Sequence, residues 1–293
     1  MKIALLPLVS ALALAACAHV APTASPALKI ASWNMEHLAE ANGSGCRART
    51  EADYAAMRDY VARLDADVIA FQEVESAAAA ERVFDPGAYT VVIEDRVGSG
   101  RGGACRGLQG QTINAQRTGF AVRKTLPFER QPDVTALQVG DTDLRSGVDL
   151  ILRPRGGEPL RLLSVHLKSG CSSGDSAEAC RVLFRQVPVM EAWIDARADE
   201  GVRFAVLGDF NRRLAQPGDR VWGEWDDASP ANADLAPASG ARGAQCNPRY
   251  RDFIDFIVLD RRATDDLRAF EERAFDATAL SDHCAVAATL ALN

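Results

Sequence analysis

Histidine is scarce in this chain, four residues in 293, and no apolar run is long enough to cross a bilayer, which takes about 20 residues. Positive charge is not in excess either. Lysine and arginine number 33 against 40 aspartates and glutamates, so the net charge is -7 and the isoelectric point lies near 5.2. A strong, sequence-blind nucleic-acid binder is usually basic, so the balance argues against one; an enzyme that grips phosphate through a metal is still allowed. No cysteine pair stands at zinc-ligand spacing beside a histidine pair, which argues against a structural zinc site. There is no repeat at solenoid spacing and no linker rich enough in proline or glycine to divide domains. What remains is a single α/β domain, with 47% hydrophobic residues to build its core.

The N-terminus carries an address. Lys2 precedes an apolar run from Ile3 to Ala16, the length of a secretory core segment, and the run closes on Leu14-Ala15-Ala16-Cys17. That ending resembles the bacterial lipoprotein signal, in which Cys17 becomes the lipidated first residue; the other reading is an ordinary signal cut near Ala16 or Ala18. Residues 1–17 are thus expected to be a signal peptide, 18–27 a tether holding Pro22 and Pro26, and 28–293 the folded domain. The expected location is the periplasm, or the outer membrane through the lipid anchor. Export makes an oxidising environment, and six cysteines remain besides Cys17. Cys171 and Cys180 flank the polar stretch SSGDSAEA and form the clearest pair, whose closure contributes about 2–3 kcal/mol. Cys46–Cys105 and Cys246–Cys284 are guesses among several open connectivities.

Short apolar runs then recur, each ending in polar or turn residues: 28–33, 67–71, 90–93, 118–122, 148–152, 160–167, 203–207, 252–259 and 284–292. Each reads as a strand. Val286, Ala288, Leu290 and Leu292 alternate as a half-exposed strand would. Thr50 followed by Asp53 predicts a capped helix with Tyr54, Met57, Val61 and Leu64 along one stripe. A second helix is predicted over about 177–197, kinked or divided at Pro188. Two long aperiodic stretches, 96–117 and 212–251, each hold a cysteine and read as pinned loops.

Polar residues gather where the apolar runs stop. Asn34 and Glu36 follow the first run, Gln72 and Glu73 the second, and His166 and Lys168 end another. Asp209 and Asn211 close FAVLGDFN, and Ser281-Asp282-His283 precede the last strand. A lone carboxylate at a strand end is ordinarily a turn or cap, and a lone histidine ordinarily structural. Asp255 is harder to dismiss, because Phe253, Ile254, Phe256 and Ile257 surround it. It faces solvent from an alternating strand, or it meets a partner such as His283 and orients the imidazole.

WNMEHL, DVIAFQEV, SVHLKS, VLGDFNR, FIDFIVL and LSDHCAV stand here in the order and spacing of the endonuclease/exonuclease/phosphatase superfamily, which the chain resembles from about Leu28 to Leu292. That group includes DNase I-like nucleases, abasic-site endonucleases, neutral sphingomyelinases and inositol-polyphosphate 5-phosphatases. The resemblance implies a four-layered α-β-β-α sandwich of two mixed sheets flanked by helices. It implies metal binding by Glu73 with Asn34, Glu36 and Asp282, the ion being Mg²⁺, with Mn²⁺ or Ca²⁺ as alternatives. Asp209 and Asn211 would orient water and contact the phosphate, His166 would serve a phosphate oxygen or the leaving group, and His283 would act with Asp255 behind it. Asn114, Arg117 and Lys168 are candidate substrate contacts.

The implied activity is that of an exported metal-dependent phosphodiesterase, a monomer acting on nucleic acid. Its enzymatic rival hydrolyses phospholipid or sugar-phosphate groups. A lipid enzyme would want exposed apolar surface, for which Trp222 and Trp225 are the candidates; a nuclease would want clustered arginines, for which Arg96, Arg101, Arg106 and Arg117 offer a weak version. A binding protein that kept the scaffold without its chemistry would have lost a ligand or a histidine, and none of these positions is empty.

Overall fold

The computed structural model describes residues 27–96, 102–230, 233–276 and 278–292. The signal segment, Cys17 and the tether up to residue 26 lie outside them, as does Arg101. The expected apolar runs are strands: β1 (Ala27–Leu38), β2 (Val68–Val74), β3 (Tyr89–Ile93), β4 (Arg117–Arg123), β6 (Val148–Leu152), β7 (Leu160–His166), β8 (Arg203–Asp209), β10 (Asp255–Leu259) and β12 (Ala285–Ala291). Three more, β5 (Phe128–Arg130), β9 (Ala236–Pro237) and β11 (Leu267–Arg273), went unforeseen. All three sit at sheet edges, where charge and short length blunt further pairing and erase the apolar pattern.

The strands form two six-stranded sheets, ordered β11-β12-β1-β2-β4-β3 and β5-β6-β7-β8-β10-β9. Each is mixed. β1 runs parallel to β2 and β7 parallel to β8, while the flanking pairs are antiparallel. Alternation sorts the side chains. Ile30, Val68, Phe120 and Ala288 join the core that faces the second sheet, and Ala31, Ile69, Ala121 and Ala287 pack outward under helix α1 (Glu51–Leu64). On the far side of the second sheet, Leu183, Met190 and Ile194 of helix α3 (Glu178–Asp199) close the same core. The layers are therefore helix, sheet, sheet, helix, as the resemblance implied.

α1 begins where expected. Thr50 Oγ1 accepts from Asp53 N at 3.4 Å and Asp53 Oδ2 accepts from Thr50 N at 2.7 Å, a reciprocal cap of the kind that contributes about 1 kcal/mol. α3 departs from expectation: it runs unbroken through Pro188. That residue lies on the exposed face, so the backbone group it leaves unpaired is on the wet side of the helix. β12 departs too. It lies between β11 and β1 and is buried on both faces, because its alternation is of large against small apolar residues.

All three disulfides join as guessed: Cys46–Cys105, Cys171–Cys180 and Cys246–Cys284. The 212–251 stretch is not structureless, since Asp219 caps the short helix α4 (Arg220–Trp225) and β9 follows it. One glycine sets the spacing of the second sheet. A Cβ at Gly208 would stand 1.9 Å from Val165 O, so only glycine lets β8 approach β7 there.

Candidate active site

The ends of adjacent strands assemble the centre. Asp209, last in β8, pairs across the ladder with His166, last in β7, and on its other side with Asp255, first in β10. Asp255 thus opens its strand, although the sequence put it inside a longer apolar run. The other sheet reaches over: Asn34 of β1 donates Nδ2 to Asp209 Oδ2 at 3.0 Å. Asp209 Oδ1 meanwhile accepts from Asn211 N at 2.8 Å, which holds Asn211 in a left-handed turn at φ 53°. Asn211 Nδ2 donates to Leu167 O at 3.2 Å. The polar end of FAVLGDFN is therefore a turn locked around one carboxylate.

A bulge supplies the next group. The register of β1 against β2 shifts between Asn34 and Leu38, and Glu36, His37 and Glu73 all take left-handed backbone at φ 43°, 54° and 61°. Such conformations are costly in residues with a Cβ, and they persist where neighbours enforce them. Buried Arg49 does so, donating to the carbonyls of Met35 (2.8 Å), Glu36 (3.0 Å) and Leu280 (2.9 Å). Asn34 Oδ1 accepts from Glu36 N at 3.0 Å, and Glu73 Oε2 from His37 N at 3.1 Å. The bulge turns Glu73 inward, with Oε1 3.9 Å from His166 Nε2. His166 Nε2 is also 3.5 Å from Asp209 Oδ2.

Beyond Asp209 lies the histidine–aspartate pair. His283 Nδ1 is 2.6 Å from Asp255 Oδ2, and Trp33 Nε1 and Ser281 Oγ fix the segment through His283 O (3.0 Å) and His283 N (3.1 Å). Burial pulls the His283 pKa down, but the carboxylates of Asp255 and Asp209 outweigh it and hold the imidazole well above its ordinary value. His166 goes the other way: burial, then the nearby Arg145 cation, keep it neutral far below its usual pKa. Asp209 is raised by burial and by the Asp255 charge. One ring is poised as a cation and the other as a neutral group, with a carboxylate between them.

Some expected residues stand apart. Glu36 is ion-paired with Arg47 at 3.2 Å and accepts from Asp282 N at 2.8 Å, so its carboxylate ties two loops together. Asp282 itself is largely exposed, with Oδ1 3.7 Å from His283 Nε2. Asn114 donates to Ser44 Oγ at 3.2 Å, in the loop stapled by Cys46–Cys105. Arg117 donates to Arg96 O at 2.9 Å, and Lys168 N to Gln186 Oε1 at 2.9 Å; β7 stops at His166, so the face Lys168 was to share does not continue. Arg96 is buried against Glu94 at 3.3 Å, which removes it from the expected arginine cluster. Trp225 is buried and Trp222 half-buried, its Nε1 donating to Asp226 Oδ2 at 3.1 Å, so neither offers the apolar surface a lipid enzyme would want.

Other residues were missed. His37 Nε2 is 3.7 Å from Glu73 Oε2, and Gln116 Nε2 stands 3.4 Å from His37 Nδ1. Arg145 is the largest omission. It is buried, donates to Leu167 O at 3.0 Å, and faces the charges of Glu73 and Asp209; burial pushes its pKa down to about 10. Its only signal in the sequence was a cation three residues before the apolar run 148–152.

A hard divalent cation suits part of this set. Carboxylate and carboxamide oxygens are its ligands. Glu73 Oε1 makes no hydrogen bond among the described residues, and Asn34 and Asp209 stand beside one another. Buried His166 Nδ1 and Asp255 Oδ1 also lack hydrogen-bond partners among the described residues, which leaves them open to further groups at the site. Asp209, Asp255 and His283 also present ligand atoms within 4.8 Å of one another. That grouping suits a cation less well, since the Asp255–His283 hydrogen bond already uses it and the ring tends to be positive. Glu73 with Asn34 is the better cradle.

Residues 31–283 match the model of the Endonuclease/Exonuclease/phosphatase family. The chain belongs to that family, whose members are phosphoric ester hydrolases and typically depend on a divalent metal. Solved structures agree on the fold. The catalytic domain of human Nocturnin with bound sulfate anion is 17% identical, with a TM-score of 0.62 over 92% of this chain and 96% of that one. Truncated Caenorhabditis elegans TDP2 is 18% identical, TM-score 0.56, over 90% and 97%. The AP endonuclease LMAP from Leishmania major is 15% identical, TM-score 0.57, over 91% and 88%. No curated protein sequence matches the chain.

Proposed function

We propose that the protein is an exported, Mg²⁺-dependent phosphodiesterase that hydrolyses nucleic acid. The observation that carries this reading is the position of Asp209, hydrogen-bonded to Asn34 across the sheets and flanked by His166 and the Asp255–His283 pair. Glu73 and Asn34 would hold the cation, which when bound polarises the phosphoryl oxygen and supports the leaving oxygen. Asp209, with its proton affinity raised, orients the attacking water and takes its proton. Neutral His166 and the Asn211 amide donate to phosphate oxygens, and the His283 imidazolium, fixed by Asp255, faces the charge that develops there.

Of the similar structures, LMAP is an AP endonuclease, which favours a nucleic-acid substrate; the reading otherwise rests on this chain's own cleft. Buried Trp225 offers no apolar surface to a lipid, which favours the nucleic-acid reading over the lipid alternative. Export is supported by the segment 3–17 and by three disulfides, which persist in oxidising compartments. Membrane fractionation of Cys17→Ser tests the anchor: the variant should leave the membrane with its activity intact. A panel of plasmid DNA, RNA, bis-p-nitrophenyl phosphate, p-nitrophenyl phosphate and sphingomyelin, with and without EDTA, tests the chemistry. Cleavage of sphingomyelin alone, or diester cleavage that persists in EDTA, would refute it.

A further inference from the structure

A cavity of about 460 Å³ opens beside the His283–Asp255 pair, within the size range of small-ligand sites. Arg213, Asn247, Arg249, Tyr250, Asp255 and His283 are among the residues that line it. Its outer wall is the 244–254 loop, which is held firmly. Cys246 is bonded to Cys284, next to His283; Gln245 N and Cys246 N donate to Glu272 at 2.7 and 3.1 Å; and Ala244 N donates to Arg251 O at 2.8 Å. On this fixed loop Tyr250 is 58% exposed, the most exposed large apolar side chain among the described residues. A ring left in water on a rigid wall is surface prepared for a partner.

The charges of the wall select that partner. Asp252 is engaged by Arg213 at 3.7 Å, Asp255 and the more exposed Asp282 by His283 at 2.6 and 3.7 Å, and Glu272 by the loop backbone. Arg249 alone among the lining cations makes no side-chain hydrogen bond or ion pair with the described residues. An aromatic face beside an uncommitted guanidinium fits a flat base joined to an anionic backbone. The geometry points to a nucleoside subsite: the cavity receives the nucleoside attached to the phosphate, its base stacked on Tyr250 and its negative charge met by Arg249. This rests on the phosphoric-ester reading of the adjoining site and adds the chemistry of what hangs from the phosphate.

Calorimetric titration separates the two ideas, because it needs no turnover. Thymidine 5′-phosphorothioate and inorganic thiophosphate are titrated, with Mg²⁺, into the wild type, Tyr250→Phe and Tyr250→Ala. The nucleotide should bind the wild type and Tyr250→Phe more tightly than thiophosphate does. Tyr250→Ala should weaken the nucleotide roughly 5- to 100-fold, the range of one base stack, and leave thiophosphate unchanged. Equal affinity of the two ligands for the wild type would overturn the subsite, as would an unaltered ratio in Tyr250→Ala. So would a Tyr250-dependent affinity for phosphatidylglycerol vesicles with no preference for the nucleotide. A protein that binds the nucleotide through Tyr250 yet cleaves no diester would sink the hydrolase reading alone.

Discussion

Asp255 opens β10 directly opposite Asp209, and its free side holds His283 Nδ1 at 2.6 Å. One carboxylate therefore orients the ring and adds its charge to the burial that raises the proton affinity of its neighbour. His283→Ala should lower kcat on a phosphodiester about 10²- to 10⁴-fold, the usual contribution of one acid–base group. Asp255→Asn keeps the shape but removes the charge, and should fall in the same direction. Circular dichroism should show both variants folded, since the pair lies at strand ends. Near-normal turnover in either would remove the pair from the chemistry.

Glu73→Gln preserves the volume at the bulge and takes away the charge proposed to hold the cation. Activity should drop and recover in part as Mg²⁺ is raised, whereas His283→Ala should not respond. Titration of rate against Mg²⁺ for both variants makes the comparison. An identical Mg²⁺ dependence in Glu73→Gln and wild type would assign the ion to other residues.

Arg145 shares the Leu167 carbonyl with Asn211, at 3.0 and 3.2 Å, and faces Glu73 and Asp209. Replacing it with methionine leaves buried Asp209 and half-buried Glu73 without that cation. Arg145→Met should lose both turnover and stability, the latter by about 3–5 kcal/mol as for other broken buried charge sets. Arg145→Lys should retain more of each. Chemical denaturation beside kcat measurements distinguishes a structural from a functional loss, and an Arg145→Met variant with normal values of both would show the cation to be idle.

Away from the site, burial and the neighbouring charges of Asp195, Asp227 and Glu224 raise the pKa of Glu191 from 4.5 to about 7. The folded form thus holds a proton that the unfolded form has already released between those values. Stability from this group is present below pH 4.5 and is lost as pH climbs through about 7. Glu191→Gln should therefore raise Tm at pH 8 and leave it nearly unchanged at pH 4. A Tm gain that is equal at both would contradict the raised pKa.

Cys246–Cys284 closes 38 residues and anchors the residue next to His283. Removing it as the double alanine variant should cost about 4 kcal/mol by loop closure and loosen the cavity wall. Thermal unfolding of the variant against wild type measures the first. A stability change under about 1 kcal/mol would show that packing alone fixes the loop.

The sequence exposed the sheet strands and most of the centre because both leave local marks. A run such as VDLIL is apolar whichever strands it later meets, and it became β6 without change of limits. Asn34, Glu73, His166 and Asp209 sit where such runs stop, His283 just before one begins, and Asp255 conspicuously within one. What sequence hides is what long-range pairing creates. The edge strand LRAFEER carries too much charge to look like one. Arg145 and His37 acquire their roles only when strands distant in the chain come together, and Trp225 looked available as surface until α3 covered it, with Val187 O accepting from its indole at 3.1 Å. Glu36 matched an acidic motif position, but only the fold brings it Arg47 as a competing partner.

The pairing of Ala27 with Ala291 has a bearing on how the molecule meets its surroundings. The chain enters the first sheet there, and Asn34 lies seven residues further along the same strand, about 23 Å away at the usual rise. Entry and chemistry are thus at opposite poles. A lipid on Cys17, the anchor proposed above, would be tied to the end of the strand remote from the cleft, and its loss would leave the chemistry untouched.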